Sequence, residues 1–377
     1  MNMKHKMISV LALMMAVALV FTGCASSSKS STLKLGFAGP LTGASAQDGE
    51  SMKRGAQLAV DIVNKAGGID GKQVEIVFED DKSDPKEAAS IANKYAADKA
   101  MLAVIGHYNS SCTLAGAPIY NKAGIVEISG GSSSPAVTDA GEYTFRTITT
   151  DAFQGKYVME WAANQEGYKT LAVVYENTDY GQGILTIAEE QAAALGIELV
   201  AKEAYILGQT KDFSSIVTKL KEAQPDAILI GGLYNETALL AKQMQRSGYS
   251  APIMGVDGIY SSALIELGGE AVEGIMMTAF FHNSSPSQVT QDFIAAYKAA
   301  YNEDPGTYAA YVFDATNIVI EALKSGATDR AAIQAYVAKV QNYEGVTGPI
   351  SFDENGDRFS DPLQLVVQDG KFELYTK

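Results

Sequence analysis

From Leu33 onward, short β-branched runs alternate with stretches whose apolar residues recur at helical spacing, and no other property of the sequence constrains the fold so tightly. Candidate strands are 33–37, 74–78, 102–105, 126–128, 171–175, 228–230 and 275–278. Between them lie the helical patterns 55–65, 86–97, 155–165, 213–223, 237–247 and 293–301. Such alternation argues for parallel sheets covered by helices, and continuously apolar strands such as Leu171-Ala172-Val173-Val174-Tyr175 argue for burial on both faces. Turn chemistry punctuates the pattern: Asp84-Pro85 reads as an N-cap followed by Pro at N1, Gly67-Gly68 as a helix end, and residues 353–357 as a late turn.

At roughly 100 to 200 residues per domain, 377 residues suggest two α/β lobes. The charge balance, 29 Lys and Arg against 44 Asp and Glu, leaves no cationic stripe for phosphate neutralisation, so nucleic acid is excluded as a partner. Only three histidines and two cysteines are present. Zinc sites, His-based acid/base chemistry and a disulfide scaffold have too little to work with, and no metal or cofactor is expected. A Gly-x-Ser-x-Gly elbow and a complete phosphate loop are also missing, which argues against an enzyme.

The N-terminus carries Lys4, His5 and Lys6, then an apolar run over 7–21 that is too short for a bilayer-spanning helix of about 20 residues. Phe21-Thr22-Gly23-Cys24 resembles a bacterial lipoprotein box, with Phe where Leu is usual. The expected organisation is a signal peptide over 1–23, then a lipidated Cys24 and flexible linker over 24–32, giving an exported chain anchored at the membrane's outer face.

Six loops following candidate strands share a small, polar, Gly-rich character: 39–45, 106–111, 129–134, 177–181, 231–236 and 255–260. Ligands of open α/β sheets bind at the carboxyl ends of strands, where helix N-termini present N–H groups. Ser110 and Ser133 can offer hydroxyls and N–H groups to a carboxylate, and Asp257 can accept from an ammonium group. That division of labour suits an α-amino acid, although Ser-rich loops also serve as simple caps and Asp-Gly as a simple turn.

Several segments then fall into a known order: Gly39-Pro40-Leu41-Thr42-Gly43, Asn64-Lys65-Ala66-Gly67-Gly68-Ile69, Gly106-His107 through Ser111, Ser134-Pro135, Phe145-Arg146-Thr147, Gln154-Gly155 and Tyr180-Gly181-Gln182-Gly183. From about Leu33 to the C-terminus the chain resembles the leucine/isoleucine/valine-binding proteins, receptors of bacterial ABC transporters with the class I periplasmic-binding fold. The resemblance implies two Rossmann-like lobes joined by a three-crossover hinge, lobe 1 spanning 33–149 plus 279–350 and lobe 2 spanning 150–278 plus 351–377. It further implies a monomer that delivers its ligand to a membrane permease.

Position by position, the resemblance assigns carboxylate binding to Ser110 and Ser133, ammonium binding to the Gly131 carbonyl and Asp257, and closure over the ligand to Tyr180. The side-chain pocket departs from the best-known members at Asp48, Tyr108, Asn109 and Leu233, with Tyr234 a possible substitute for the tyrosine that Leu233 replaces. Asp48 must then face solvent, pair with a cation or meet a polar ligand group, because burying an unpartnered carboxylate costs several kcal/mol. These departures keep a polar or basic amino acid, an amide or a urea-like ligand open beside the branched-chain amino acids, as well as a sensor role. Phe153, near the first crossover, is a further candidate for the cleft, whereas His107, Trp161 and Cys112 read as structural.

Overall fold

A computed structural model describes residues 32–376. The signal peptide, Cys24 and nearly all of the linker expected above lie outside the described residues.

The first sheet consists of β1 (Leu33–Gly39), β2 (Val74–Asp80), β3 (Met101–Gly106), β4 (Val126–Ser129) and β5 (Thr144–Arg146), all parallel in the order β2-β1-β3-β4-β5. Its connecting helices are α1 (Ala46–Lys65), α2 (Pro85–Ala97) and α3 (Ser110–Ala123). As the Asp84-Pro85 signal predicts, Asp84 caps α2 by accepting from the Lys86 N–H at 2.8 Å. The chain then enters α4 (Asp151–Glu160), which runs into a π-helical turn over Trp161–Glu166.

A second sheet follows, built from β6 (Thr170–Glu176), β7 (Glu198–Tyr205), β8 (Ala227–Gly231), β9 (Ile253–Gly255) and β10 (Met276–Ala279), with helices α5 (Asp179–Leu195), α6 (Ser214–Ala223), α7 (Tyr234–Arg246) and α8 (Ser262–Gly268). After β10 the chain forms α9 (Gln288–Tyr301), α10 (Thr307–Lys324), α11 (Arg330–Val337) and the small antiparallel pair β11 (Tyr343–Gly345) and β12 (Gly348–Ile350). It returns as β13 (Leu363–Gln368), antiparallel to β10, and β14 (Lys371–Leu374), antiparallel to β13, giving the order β14-β13-β10-β9-β8-β6-β7.

The strand order reverses between β1 and β3 in one sheet and between β6 and β8 in the other. Crevices open at such switch points, so the loops after these strands meet where the lobes face each other.

The helix that closes the first lobe is α10, and it is buried on nearly every side. Its backbone lies so close to α1 that a Cβ on Gly55 would sit 2.2 Å from the Ala309 carbonyl oxygen. Helical periodicity reveals α10 poorly, because buried residues cover most of its circumference and only Phe313, Asn317, Glu321 and Lys324 make a narrow outward stripe.

Three passages of chain link the sheets, and two buried arginines fasten the third to the first lobe. Arg358, in the third passage, donates to the Thr147 carbonyl at 2.8 Å in the first passage and to the Thr347 carbonyl and hydroxyl, each at 2.7 Å, in the β11–β12 turn. Arg146 donates to Asp357 at 2.5 Å and to the Ser134 carbonyl at 2.8 Å, tying the late turn to a loop of the first lobe. Removing one member of a buried ion pair leaves the other charge stranded. Arg146→Leu should therefore lower the unfolding free energy by about 3–5 kcal/mol, measured as the shift of the urea midpoint.

Candidate functional site

The β3–α3 and β4–β5 loops form one wall of the cleft, and a buried polar network fixes them. His107 pairs through Nδ1 with Asp81 at 2.7 Å, its carbonyl accepts from Ser129 Oγ at 2.6 Å, and Ser132 Oγ donates to the Tyr108 carbonyl at 3.0 Å. His107 is thus structural, as the sequence suggests. Asn109 stands at the N-cap of α3 without a side-chain cap bond, so the first turn of this 14-residue helix keeps N–H groups for another acceptor. Ser110 Oγ accepts from the Ser134 N–H at 3.2 Å, which joins the two serine loops.

The opposite wall comes from the second sheet. Thr178 caps α5 by accepting from the Gly181 N–H, placing Tyr180 in the helix's first turn. Leu233 precedes α7, and Asp257 opens a short 3-10 turn after β9. Tyr308, near the start of α10, contributes from the first lobe. Together Tyr108, Asn109, Ser110, Gly131, Ser133, Tyr180, Leu233, Asp257, Gly258 and Tyr308 line one chamber between the lobes. A larger cavity lies at the cleft edge beside Gln47 and Arg54, but Arg54 is already paired there with Glu50 and Glu303.

Electrostatically, the enclosed space is short of positive charge. Gln154 Nε2 donates to both Asp151 Oδ1 and Asp257 Oδ1 at 2.7 Å, while Asp257 Oδ2, Asn109 Oδ1 and the Tyr180 hydroxyl have no hydrogen-bond partner among the described residues. Burial pushes Asp257 up to about 7, opposed by the Gln154 hydrogen bond. It pushes Asp151 to about 8, with the neighbouring Asp257 charge adding to the effect. Ser133 Oγ donates to Asp151 at 3.1 Å, so one chain of contacts runs from the first lobe's serine to the second lobe's acid.

Eight residues singled out in the sequence therefore line one chamber, and two do not. Asp48 is buried behind the wall: its Oδ2 accepts from the Tyr108 hydroxyl at 2.8 Å and its Oδ1 from Ser261 at 3.1 Å. Neither solvent exposure nor a cation explains it. Two hydroxyl donors do, and burial still raises its carboxyl to about 7. Phe153 turns away from the chamber to pack edge-on against Phe359, with ring centres 6.3 Å apart, because α4 aims the next residue, Gln154, inward instead. Tyr234 does not substitute for a chamber residue either, since it is packed in the second lobe's core.

Sequence reading missed Gln154, Asp151 and Tyr308 as site residues. Gln154 belongs to a segment already noted, and an amide three residues after an Asp in the first turn of a crossover helix was the available signal. Tyr308 had none, because most of its helix is buried and its position does not stand apart from its neighbours.

Two lobes with doubly wound sheets, triply connected and closing on a polar chamber, define a ligand-capturing binding protein. The family model described as periplasmic binding protein matches residues 32–371, and the chain belongs to that family of extracytoplasmic receptors. It is 33% identical over 348 residues to the leucine-, isoleucine-, valine-, threonine- and alanine-binding protein of Pseudomonas aeruginosa, covering 90% of this chain and 91% of that one. It is 34% identical over 325 residues to the Leu/Ile/Val-binding protein homolog 1 of Brucella abortus, covering 86% of each. Among solved structures, the branched-chain amino acid transporter substrate binding protein LivJ of Streptococcus pneumoniae in complex with isoleucine is similar, with a TM-score of 0.86, 34% identity and coverage of 91% of this chain and 98% of that one.

The buried acids give the ligand-free closed form a distinctive pH response. Asp151 and Asp257 hold protons in the folded protein that the unfolded chain, near 3.8, has already released, so stability falls as pH rises from about 4 and levels off above about 7 to 8. One proton contributes at most about 1.4 kcal/mol per pH unit. Asp257→Asn should remove part of this slope, so that in urea titrations of ligand-free protein the wild type loses ground to the variant between pH 4 and 7 and not above.

Proposed function

We propose that this chain captures a free α-amino acid between its lobes and presents it to the membrane permease of an ABC importer. The observation that carries the reading is Asp257, a buried carboxylate with one oxygen unpartnered, facing a chamber whose other side is the Ser110 and Ser133 loops at an uncapped helix N-terminus. An ammonium group would supply the missing cation at Asp257 and the Gly131 carbonyl. The ligand carboxylate would take the α3 N–H groups and the two serine hydroxyls. Relatives named for leucine, isoleucine, valine, threonine and alanine support an amino acid as the ligand class.

Closure follows from the same chemistry. The lobes proposed are 33–149 plus 279–350 and 150–278 plus 351–377, so that Ser110, Gly131 and Ser133 hold the ligand first and Tyr180, Leu233 and Asp257 engage when the second lobe swings in. A ligand that contacts both lobes favours the closed form by its differential affinity. The working unit is a monomer whose closed lobes dock on the permease. Cys24 carries the lipid that keeps it at the outer face of the membrane.

Asp257→Ala should weaken amino-acid binding at least tenfold in calorimetry, since a charge-assisted hydrogen bond is worth roughly 1.5–3 kcal/mol. An ammonium ligand displaces the proton that Asp257 holds, so wild-type affinity should rise between pH 5 and 7 and flatten above. Unchanged affinity in the variant would remove Asp257 from the clamp. For the anchor, Cys24→Ser should shift the full-length protein from the membrane to the soluble fraction of a bacterial host, and a variant that stays with the membrane would exclude lipidation there.

A further inference from the structure

The wall formed by Tyr108 is held more tightly than a packed aromatic needs to be. The Tyr108 hydroxyl donates to Asp48 at 2.8 Å, its carbonyl accepts from Ser132 at 3.0 Å, and its ring stands edge-on to Tyr308 with centres 4.9 Å apart and planes at 84°. On another side the backbone of Gly131 presses on it, since a Cβ there would lie 2.6 Å from the Tyr108 ring. Tyr308 cannot yield readily either, because α10 is seated against α1 at Gly55.

Asp48 itself is fully committed. One oxygen holds Tyr108 of its own lobe and the other takes the Ser261 hydroxyl of the opposing lobe. This cross-lobe bond exists only when the lobes are shut. With the ligand's carboxylate against the serine loops and its ammonium on Asp257, the walls left for its side chain are Tyr108, Tyr308, Leu233 and Gly258. Three of these four are bulky, and the Tyr108 and Tyr308 rings pack edge to face, so aromatic rings occupy the side-chain end of the chamber.

We propose that Tyr108, locked by Asp48, caps the side-chain end of the chamber and restricts it to amino acids with short side chains, such as glycine, alanine, serine and threonine, against leucine and isoleucine. The proposal rests on the amino-acid reading above and adds the size of the ligand. The limit is enforced at closure: a longer side chain must displace the Tyr108 ring, which breaks its bond to Asp48 and disturbs the surface that receives Ser261. Because both Asp48 oxygens are already taken by donors, the cap does not call for a cationic side chain.

The test is calorimetric titration of the purified protein, stripped of copurified ligand, with glycine, alanine, serine, threonine, valine, leucine, isoleucine, arginine and glutamine. Wild type should bind at least one of the four short amino acids tenfold or more tighter than leucine and isoleucine. Tyr108→Leu should raise leucine affinity relative to alanine by at least tenfold. Tyr108→Phe, which keeps the ring and loses the tie to Asp48, should shift the ratio the same way by less. A role in stability alone would weaken all ligands together and leave their order unchanged, and that result would overturn the proposal. So would a wild-type preference for leucine, isoleucine, arginine or glutamine, with the amino-acid reading left standing. Binding of none of the amino acids would instead overturn that reading, and the size limit with it.

Discussion

One amide side chain holds two buried carboxylates apart from water, and the site depends on how their charge is met. Gln154 can offer one hydrogen bond to each of Asp151 and Asp257, but it carries no charge. Burial in a low-dielectric chamber disfavours ionisation of both acids, and the Asp257 charge adds to the effect at Asp151, which is why both are pushed toward neutral pH. The protein can hold them as protonated acids or recruit a cation. If the guest carries an ammonium group, as proposed, its charge meets that requirement and couples capture to closure. The rest of the cleft, with its hydroxyls, its uncapped helix end and its aromatic walls, positions the guest around that requirement.

Much of this arrangement was legible before any coordinates. The seven candidate strands all lie within or overlap strands of the two sheets, because buried parallel strands are written as unbroken β-branched runs. Four of the six polar loops follow the strands between which the sheets reverse their order, and the other two follow the next strands, β4 and β9. What escaped detection did so for identifiable reasons. The strands β5 and β9 have three residues each, too few to show a pattern, and β7 has its face largely open to solvent, so its Glu and Lys residues mask it. Helix α10 hides in its extensive burial, which leaves only a narrow outward stripe.

Within the site, residue types were more readable than directions. Asp48, Tyr108 and Asn109 stood out as unusual, but sequence spacing does not show that Asp48 would serve Tyr108 rather than a ligand. That contact joins residues sixty positions apart and is made only by the fold. Phe153 and Gln154 make the opposite point. Both sit in the first turn of one helix, where adjacent side chains point about 100° apart, so one residue of register decides which enters the cleft.

The interleaving of the chain has a consequence for how such a molecule comes into being. The first sheet is complete by Arg146, yet the helix that seals it, α10, is reached only at Thr307; the second sheet waits for β13 and β14, at the very end of the described chain. Tyr375 then packs on Trp161, more than two hundred residues earlier, with ring centres 5.0 Å apart. Neither lobe can therefore mature as an independent early unit while the polypeptide is still emerging. Contacts of such long sequence separation form slowly. Until they form, the exposed face of β10 is an open sheet edge that a chaperone, or a second copy of the same unfinished chain, can reach first.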